Sequence, residues 1–308
     1  MSVGRAILDG DRRALARALT LVESDPGAAD EIIAEVFPHT GHGIVVGITG
    51  APGVGKSTLV DRLAGQFLAR GRKVGILAVD PSSPFSGGAL LGDRVRMEGR
   101  GSDVFMRSLA TRGHLGGLAR ATPRAIQLLQ AFGKDLILLE TVGAGQSEVD
   151  VMGFADTTIV VVVPGLGDDV QAFKAGILEI GDIFVVNKAD RPGADQTMRE
   201  LRQMLHLGPK RPWLPPVLPT QAQQDVGVGE VADAILRHAE ARGDDPALGE
   251  RRLQEAERLV RDALADQLVQ TVVARSQADG RWRDVLSAVA ERRLDPAGAA
   301  RALYLENA

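Results

Sequence analysis

One octapeptide, Gly50-Ala51-Pro52-Gly53-Val54-Gly55-Lys56-Ser57, restricts the fold more than any other stretch of the 308 residues. It spells G-x-x-x-x-G-K-S, follows the apolar run Ile44-Val45-Val46-Gly47-Ile48-Thr49, and leads through Thr58 into a helix-like Leu59-Val60-Asp61-Arg62-Leu63. A strand entering such a loop and a helix leaving it aim backbone N–H groups and a helix dipole at phosphate oxygens. Residues 50–58 are therefore expected to hold the phosphates of a nucleotide. Lys56 would neutralise β/γ-phosphate charge, and the Ser57 hydroxyl would sit on Mg²⁺.

Six further apolar runs follow, at residues 74–80, 104–107, 136–140, 158–164, 183–187 and, more weakly, 217–220. They are continuous and rich in β-branched residues, the mark of strands buried on both faces. The chain is thus expected to be α/β: a P-loop NTPase fold with a doubly wound, mostly parallel sheet over residues 43–242. Functional residues of such a sheet lie just past the carboxyl ends of its strands. Residues 1–42 read as an N-terminal helical extension. Asp11 is placed to cap a helix with Leu15, Leu19 and Val22 on one stripe, and Pro26 to open a second with Ile32, Ile33, Val36 and Phe37 inward. Gly243-Asp244-Asp245-Pro246 breaks the pattern. Residues 243–308 then read as helices at 247–276, 285–293 and 296–305, with too few apolar residues for a globule of their own.

Hydrophobic residues at 44% and charged residues at 25% are ordinary for a folded chain. A net charge of −4 argues against a nucleic-acid partner. The lack of cysteine removes disulfides, thiolate metal sites and Cys nucleophiles together. Residues 1–10 hold no apolar core of signal-peptide length and no run approaches the length of a membrane span, so a cytoplasmic protein without membrane contact is expected. The five histidines lack zinc-ligand spacing.

Asn187-Lys188-Ala189-Asp190 comes directly off the run at 183–187. In N-K-x-D the carboxylate accepts from the N1–H and amino group of guanine, a donor pair that adenine lacks, so GTP/GDP is expected rather than ATP. Thr220-Gln221-Ala222 either closes over the base with backbone N–H groups or is an ordinary strand-to-loop turn. Three acids compete for the Mg²⁺ beside Ser57: Asp80 in Asp80-Pro81-Ser82-Ser83, Asp93 beyond the flexible Ser86-Gly87-Gly88, and Glu140, which opens Glu140-Thr141-Val142-Gly143. Gly143 is placed to donate its N–H to a γ-phosphate and order a switch. The position after it, where small signalling GTPases carry a water-positioning glutamine, is Ala144, and Gln146 is displaced. Slow intrinsic hydrolysis, accelerated by a partner, is expected. The segment 165–174 reads as a mobile stretch in which Lys174 reaches the nucleotide or a partner, as a helix start capped by Asp168 or Asp169, or as both.

Taken together, residues 47–58, Ala78-Val79-Asp80-Pro81-Ser82-Ser83, Gly113-His114-Leu115-Gly116-Gly117-Leu118, Glu140-Thr141-Val142-Gly143 and Asn187-Lys188-Ala189-Asp190 resemble the methylmalonyl-CoA mutase-associated GTPases. This is the MeaB/ArgK family, in the metallochaperone-like branch of P-loop GTPases, and the likeness runs from about Gly10 to about Gly229. It implies a GTPase chaperone of an adenosylcobalamin-dependent acyl-CoA mutase that gates cofactor loading and protects or reactivates the mutase. It also implies a homodimer with the C-terminal helices as its arm, a magnesium-associated set of Ser57, Asp80, Asp93 and Glu140, and a third switch at 168–174. Lys56, Glu140, Gly143, Gln146 and Lys174 are the expected catalytic group. Three other readings compete: a nickel or cobalt metallochaperone, which needs Cys or His ligands near the nucleotide; an ATPase or kinase serving basic amino-acid transport; and a scaffold that binds nucleotide without hydrolysis.

Overall fold

A computed structural model describes residues 1–25, 27–80, 103–110, 117–141, 152–165, 177–208, 212–243 and 248–305. Among the described residues seven strands form one sheet: β1 (Ile44–Thr49), β2 (Val74–Asp80), β3 (Val104–Ala110), β4 (Leu136–Thr141), β5 (Thr157–Val162), β6 (Ile183–Asn187) and β7 (Val217–Thr220). Their order is β3-β2-β4-β1-β5-β6-β7 and every pairing is parallel, so the sheet is more uniform than the mostly parallel one expected.

The continuous apolar runs fold this way because both faces are covered. On β4, Leu136 and Leu138 enter one apolar cluster while Ile137 and Leu139 enter another. The first cluster is filled by α4 (Lys56–Ala69) and α8 (Val228–Gly243). The second is filled by α1 (Val3–Leu8), α2 (Arg12–Ser24), α3 (Asp30–Val36) and α5 (Gly117–Ala131). A third, around Val160, Val162, Phe184, Val186 and Leu201, lies under α7 (Ala194–Leu207); the single turn α6 (Ile177–Ile180) precedes β6. A one-residue slip of any central strand would exchange its two buried sets, so register here is set by how each side chain fits its own cluster rather than by burial alone.

Asp11 caps α2 as expected, accepting from the N–H groups of Arg13 and Ala14 at 2.7 and 3.2 Å. Those backbone donors, that of Ala14 first, hold its carboxyl below the usual carboxylate range. Leu15, Leu19 and Val22 are buried as expected. Phe37 is not: α3 ends at Val36, and the turn through Pro38 leaves Phe37 55% exposed. Pro26 lies outside the described residues.

The chain divides into two compact units, Met1–Gly243 and Asp244–Ala308, and the helices before β1 belong to the first. The second holds α9 (Leu248–Ala278), α10 (Arg281–Ala290) and α11 (Pro296–Leu305), which pack on one another. The third of these begins and ends where its sequence pattern does; α10 starts earlier than the expected 285 because Gly280, at φ +85°, provides the turn that opens it.

Candidate functional site

Past the carboxyl end of β1, the loop 50–55 runs into α4. Its conformation depends on glycine at two positions. Gly50 has φ +145°, and a Cβ there would meet Val161 O at 2.2 Å; Gly55 has φ +100°, and a Cβ there would meet Asn187 Nδ2 at 2.4 Å. The loop therefore lies tight against β5 on one side and against the end of β6 on the other. Lys56, buried at the first position of α4, donates from Nζ to Gly50 O at 2.6 Å and Ala51 O at 3.3 Å, so its ammonium lies across the mouth of the loop. With the positive end of the helix dipole behind it, this is a cradle for an anion.

Ser57 Oγ donates to Glu140 Oε1 at 2.5 Å. Glu140 is 3% exposed, at the end of β4, the strand beside β1. A hydroxyl and a buried carboxylate within one contact, at the phosphate end of the loop, are the hard oxygen donors that Mg²⁺ takes, so these residues fit the ion. Asp80 ends β2 on the same edge of the sheet, one position beyond the Val79–Thr141 pairing. Asp93, Gly143, Gln146 and Lys174 lie outside the described residues.

Beyond the loop, Asn187 ends β6. Its Nδ2 donates to Val54 O at 2.8 Å, and its Oδ1 accepts from Thr220 Oγ1 and from Ala222 N, both at 3.1 Å. Lys188, with φ +56°, turns back and donates from Nζ to Gly53 O at 2.8 Å. These bonds close a cavity of about 270 Å³ lined by Gly53, Gly55, Thr58, Asn187, Lys188, Asp190, Arg191, Gln221, Ala222, Gln223 and Gln224. That volume lies below the usual range for a whole small molecule, which suits a base and part of its sugar, with the phosphates along the open loop.

The fold thus gathers Gly53, Gly55, Thr58, Asn187, Lys188, Asp190, Gln221 and Ala222 around one cavity. Lys56, Ser57 and Glu140 stand at the phosphate end, Val54 and Thr220 hold Asn187 from behind, and Pro52 is on the exposed rim. One expectation changes. The N–H groups of Gln221 and Ala222 are committed internally, to Val226 O at 2.9 Å and to Asn187 Oδ1, so these two donors are not the ones offered to a base. Arg191, Gln223 and Gln224 also line the cavity and were missed; their signal was adjacency, directly after Asp190 and Ala222.

The sequence profile described as Methylmalonyl Co-A mutase-associated GTPase MeaB matches residues 15–277. A protein of Pyrococcus abyssi that carries a GTPase designation is 48% identical over 297 residues, 94% of this chain and 91% of the relative. The mitochondrial methylmalonic aciduria type A homolog of Caenorhabditis elegans is 32% identical over 289 residues, 86% of this chain and 72% of the relative. Among solved structures, a LAO/AO transport system kinase superimposes with a TM-score of 0.72 at 28% identity, covering 98% of this chain and 95% of the other.

Proposed function

The chain belongs to the methylmalonyl-CoA mutase-associated GTPase family, MeaB, and from that premise we propose that it is a Mg²⁺-dependent cytoplasmic GTPase that chaperones an adenosylcobalamin-dependent acyl-CoA mutase. It would gate cofactor loading and protect or reactivate the mutase. The observation that carries the nucleotide reading is the Asn187 carboxamide, which joins the phosphate loop to a cavity whose wall includes Asp190. In this reading Asp190 accepts from guanine, and Gly50, Ala51, Pro52, Gly53, Val54, Gly55, Lys56, Ser57 and Thr58 cradle the phosphates. Mg²⁺, held by Ser57 and Glu140 with Asp80 and Asp93 as further acids, would supply positive charge to the γ-phosphate. Lys56 leaves the carbonyls of Gly50 and Ala51 to meet phosphate oxygens, a charge-assisted exchange.

Hydrolysis is proposed to be slow in the protein alone, since Ala144 stands where a glutamine would orient water and Gln146 is two residues further on. The mutase would accelerate it through the segments around Asp93, Gly143 and Lys174. The second unit, with a 31-residue α9, is proposed as the surface through which two copies pair.

Calorimetric titration with GTP and ATP, followed by GTPase rates with and without a cobalamin-dependent acyl-CoA mutase, tests these statements in order. Tighter GTP binding and a stimulated rate are expected. Tighter ATP binding would sink the guanine assignment; absence of both complex and stimulation would sink the chaperone role.

A further inference from the structure

Arg62 and Gln66 on α4 and Arg70, the residue that caps its C-terminus, recur every four residues, so they form one row along one side of the helix. All three reach the same stretch of chain. Arg62 Nη2 donates to Gln223 O at 3.2 Å, and Gln66 Nε2 donates to Asp225 Oδ2 at 3.2 Å. Arg70 Nη2 donates to Gly229 O at 3.4 Å and pairs with Asp233 at 2.7 Å.

The segment so gripped is stiff. Gln221 and Val226 exchange backbone hydrogen bonds at 2.9 and 3.3 Å. Asp225 has φ +60°, and Gly227 has φ +76° with Pro219 O 2.3 Å from where a Cβ would stand. A loop closed on itself moves as a unit, and its place is set by its anchors. One anchor is the Asn187 Oδ1 bond to Ala222 N. Arg62 and Gln66 on α4 are another, while Arg70 holds the start of α8 that follows the loop.

We propose that Arg62 and Gln66 are positioning residues for base recognition, fixing the 221–227 loop against the helix that begins at the phosphate cradle. The wall formed by Gln221, Gln223 and Gln224 then keeps one spacing from Lys56 and Ser57, and base and phosphates are read as one ligand. This rests on the cavity being the guanine site.

The test is a fluorescent-GDP titration of wild type, Arg62→Ala/Gln66→Ala, Gln66→Ala and Arg62→Lys, with GTP and ATP as competitors. The expected result is a loss of about tenfold in GTP and GDP affinity in the double variant, about threefold in Gln66→Ala, and near wild-type binding in Arg62→Lys. The preference for GTP over ATP should shrink in parallel, because a wall that no longer keeps its spacing lets either purine sit in the cavity. A lowered melting temperature with that preference unchanged, in the single or the double variant, overturns the positioning role. Wild-type protein preferring ATP overturns the guanine reading and this inference with it. A guanine-preferring wild type and an unchanged double variant overturn this inference alone.

Discussion

Asn187 directs its carboxamide three ways: one donor to the phosphate loop, and one acceptor shared between the hydroxyl of Thr220 and the N–H of Ala222. It is 3% exposed, so truncation strands a carbonyl, a hydroxyl and an amide where water does not replace the partner. Asn187→Ala should therefore cost about 2–4 kcal/mol in chemical denaturation. It should also weaken GTP in calorimetry, since both the loop and the base wall lose their common fastener. Lys134 is a different case. Its side chain is 2% exposed, with Nζ donating to Asp103 O at 2.9 Å and lying 5.6 Å from the centre of the Phe132 ring. Burial, with Arg12 nearby, pushes its pKa down from 10.5 to about 8. Above pH 10.5 neither folded nor unfolded chain holds this proton. As pH falls towards 8 the unfolded chain gains it first, and below 8 the folded chain carries a buried charge. The stability of wild type relative to Lys134→Met should accordingly rise between pH 8 and 10.5 and stay flat below pH 8, as read by urea titrations across that range.

At the scale of elements, the phosphate loop works because it is pressed between β5 and the end of β6. Gly55→Ala would strain a left-handed residue and push its Cβ against the carboxamide of Asn187. A loss of at least about tenfold in GTP affinity is expected, with the circular dichroism spectrum of the fold retained. The sheet's two edges are each closed by an arginine, Arg12 donating to Val104 O on β3 and Arg202 to Val217 O on β7, while Pro219 removes a donor from β7. Arg107 of β3 pairs with Glu23 of α2, and that carboxylate is 3% exposed, which ties the N-terminal helices to this edge. The five central strands were legible from their runs because burial on both faces leaves no polar alternation to mistake for a loop, while β7, where Leu218 is half-buried and Pro219 exposed, gave only a weak run. Phe37 was misread inward because a helical stripe was carried one residue past the point where Pro38 turns the chain.

In the whole molecule, α9 of the second unit carries Leu253, Val260, Leu264 and Leu268 exposed at spacings of seven, four and four, on one helical face. If this face pairs two copies, as proposed, Val260→Glu/Leu264→Glu should convert a dimer to a monomer in sedimentation velocity without changing GTP affinity; an unchanged sedimentation coefficient would remove α9 from the interface. The first unit shows why the site is made of distant pieces. The strand order places β1 between β4 and β5, so Ser57 meets Glu140 across 83 residues and Asn187 meets Val54 across 133. The sequence by itself determined the phosphate loop, the strands and the guanine signature, because each is written in contiguous residues whose types and spacing carry their own mechanism. Only the tertiary structure decided that Asn187 fastens the phosphate loop to the 220–222 segment, that the N–H groups of Gln221 and Ala222 are spent inside the protein, and that Arg62 and Gln66 grip the 221–227 loop. Those pairings join residues whose separation along the chain carries no signal, and they exist only once a parallel sheet has brought the carboxyl ends of its strands to one edge.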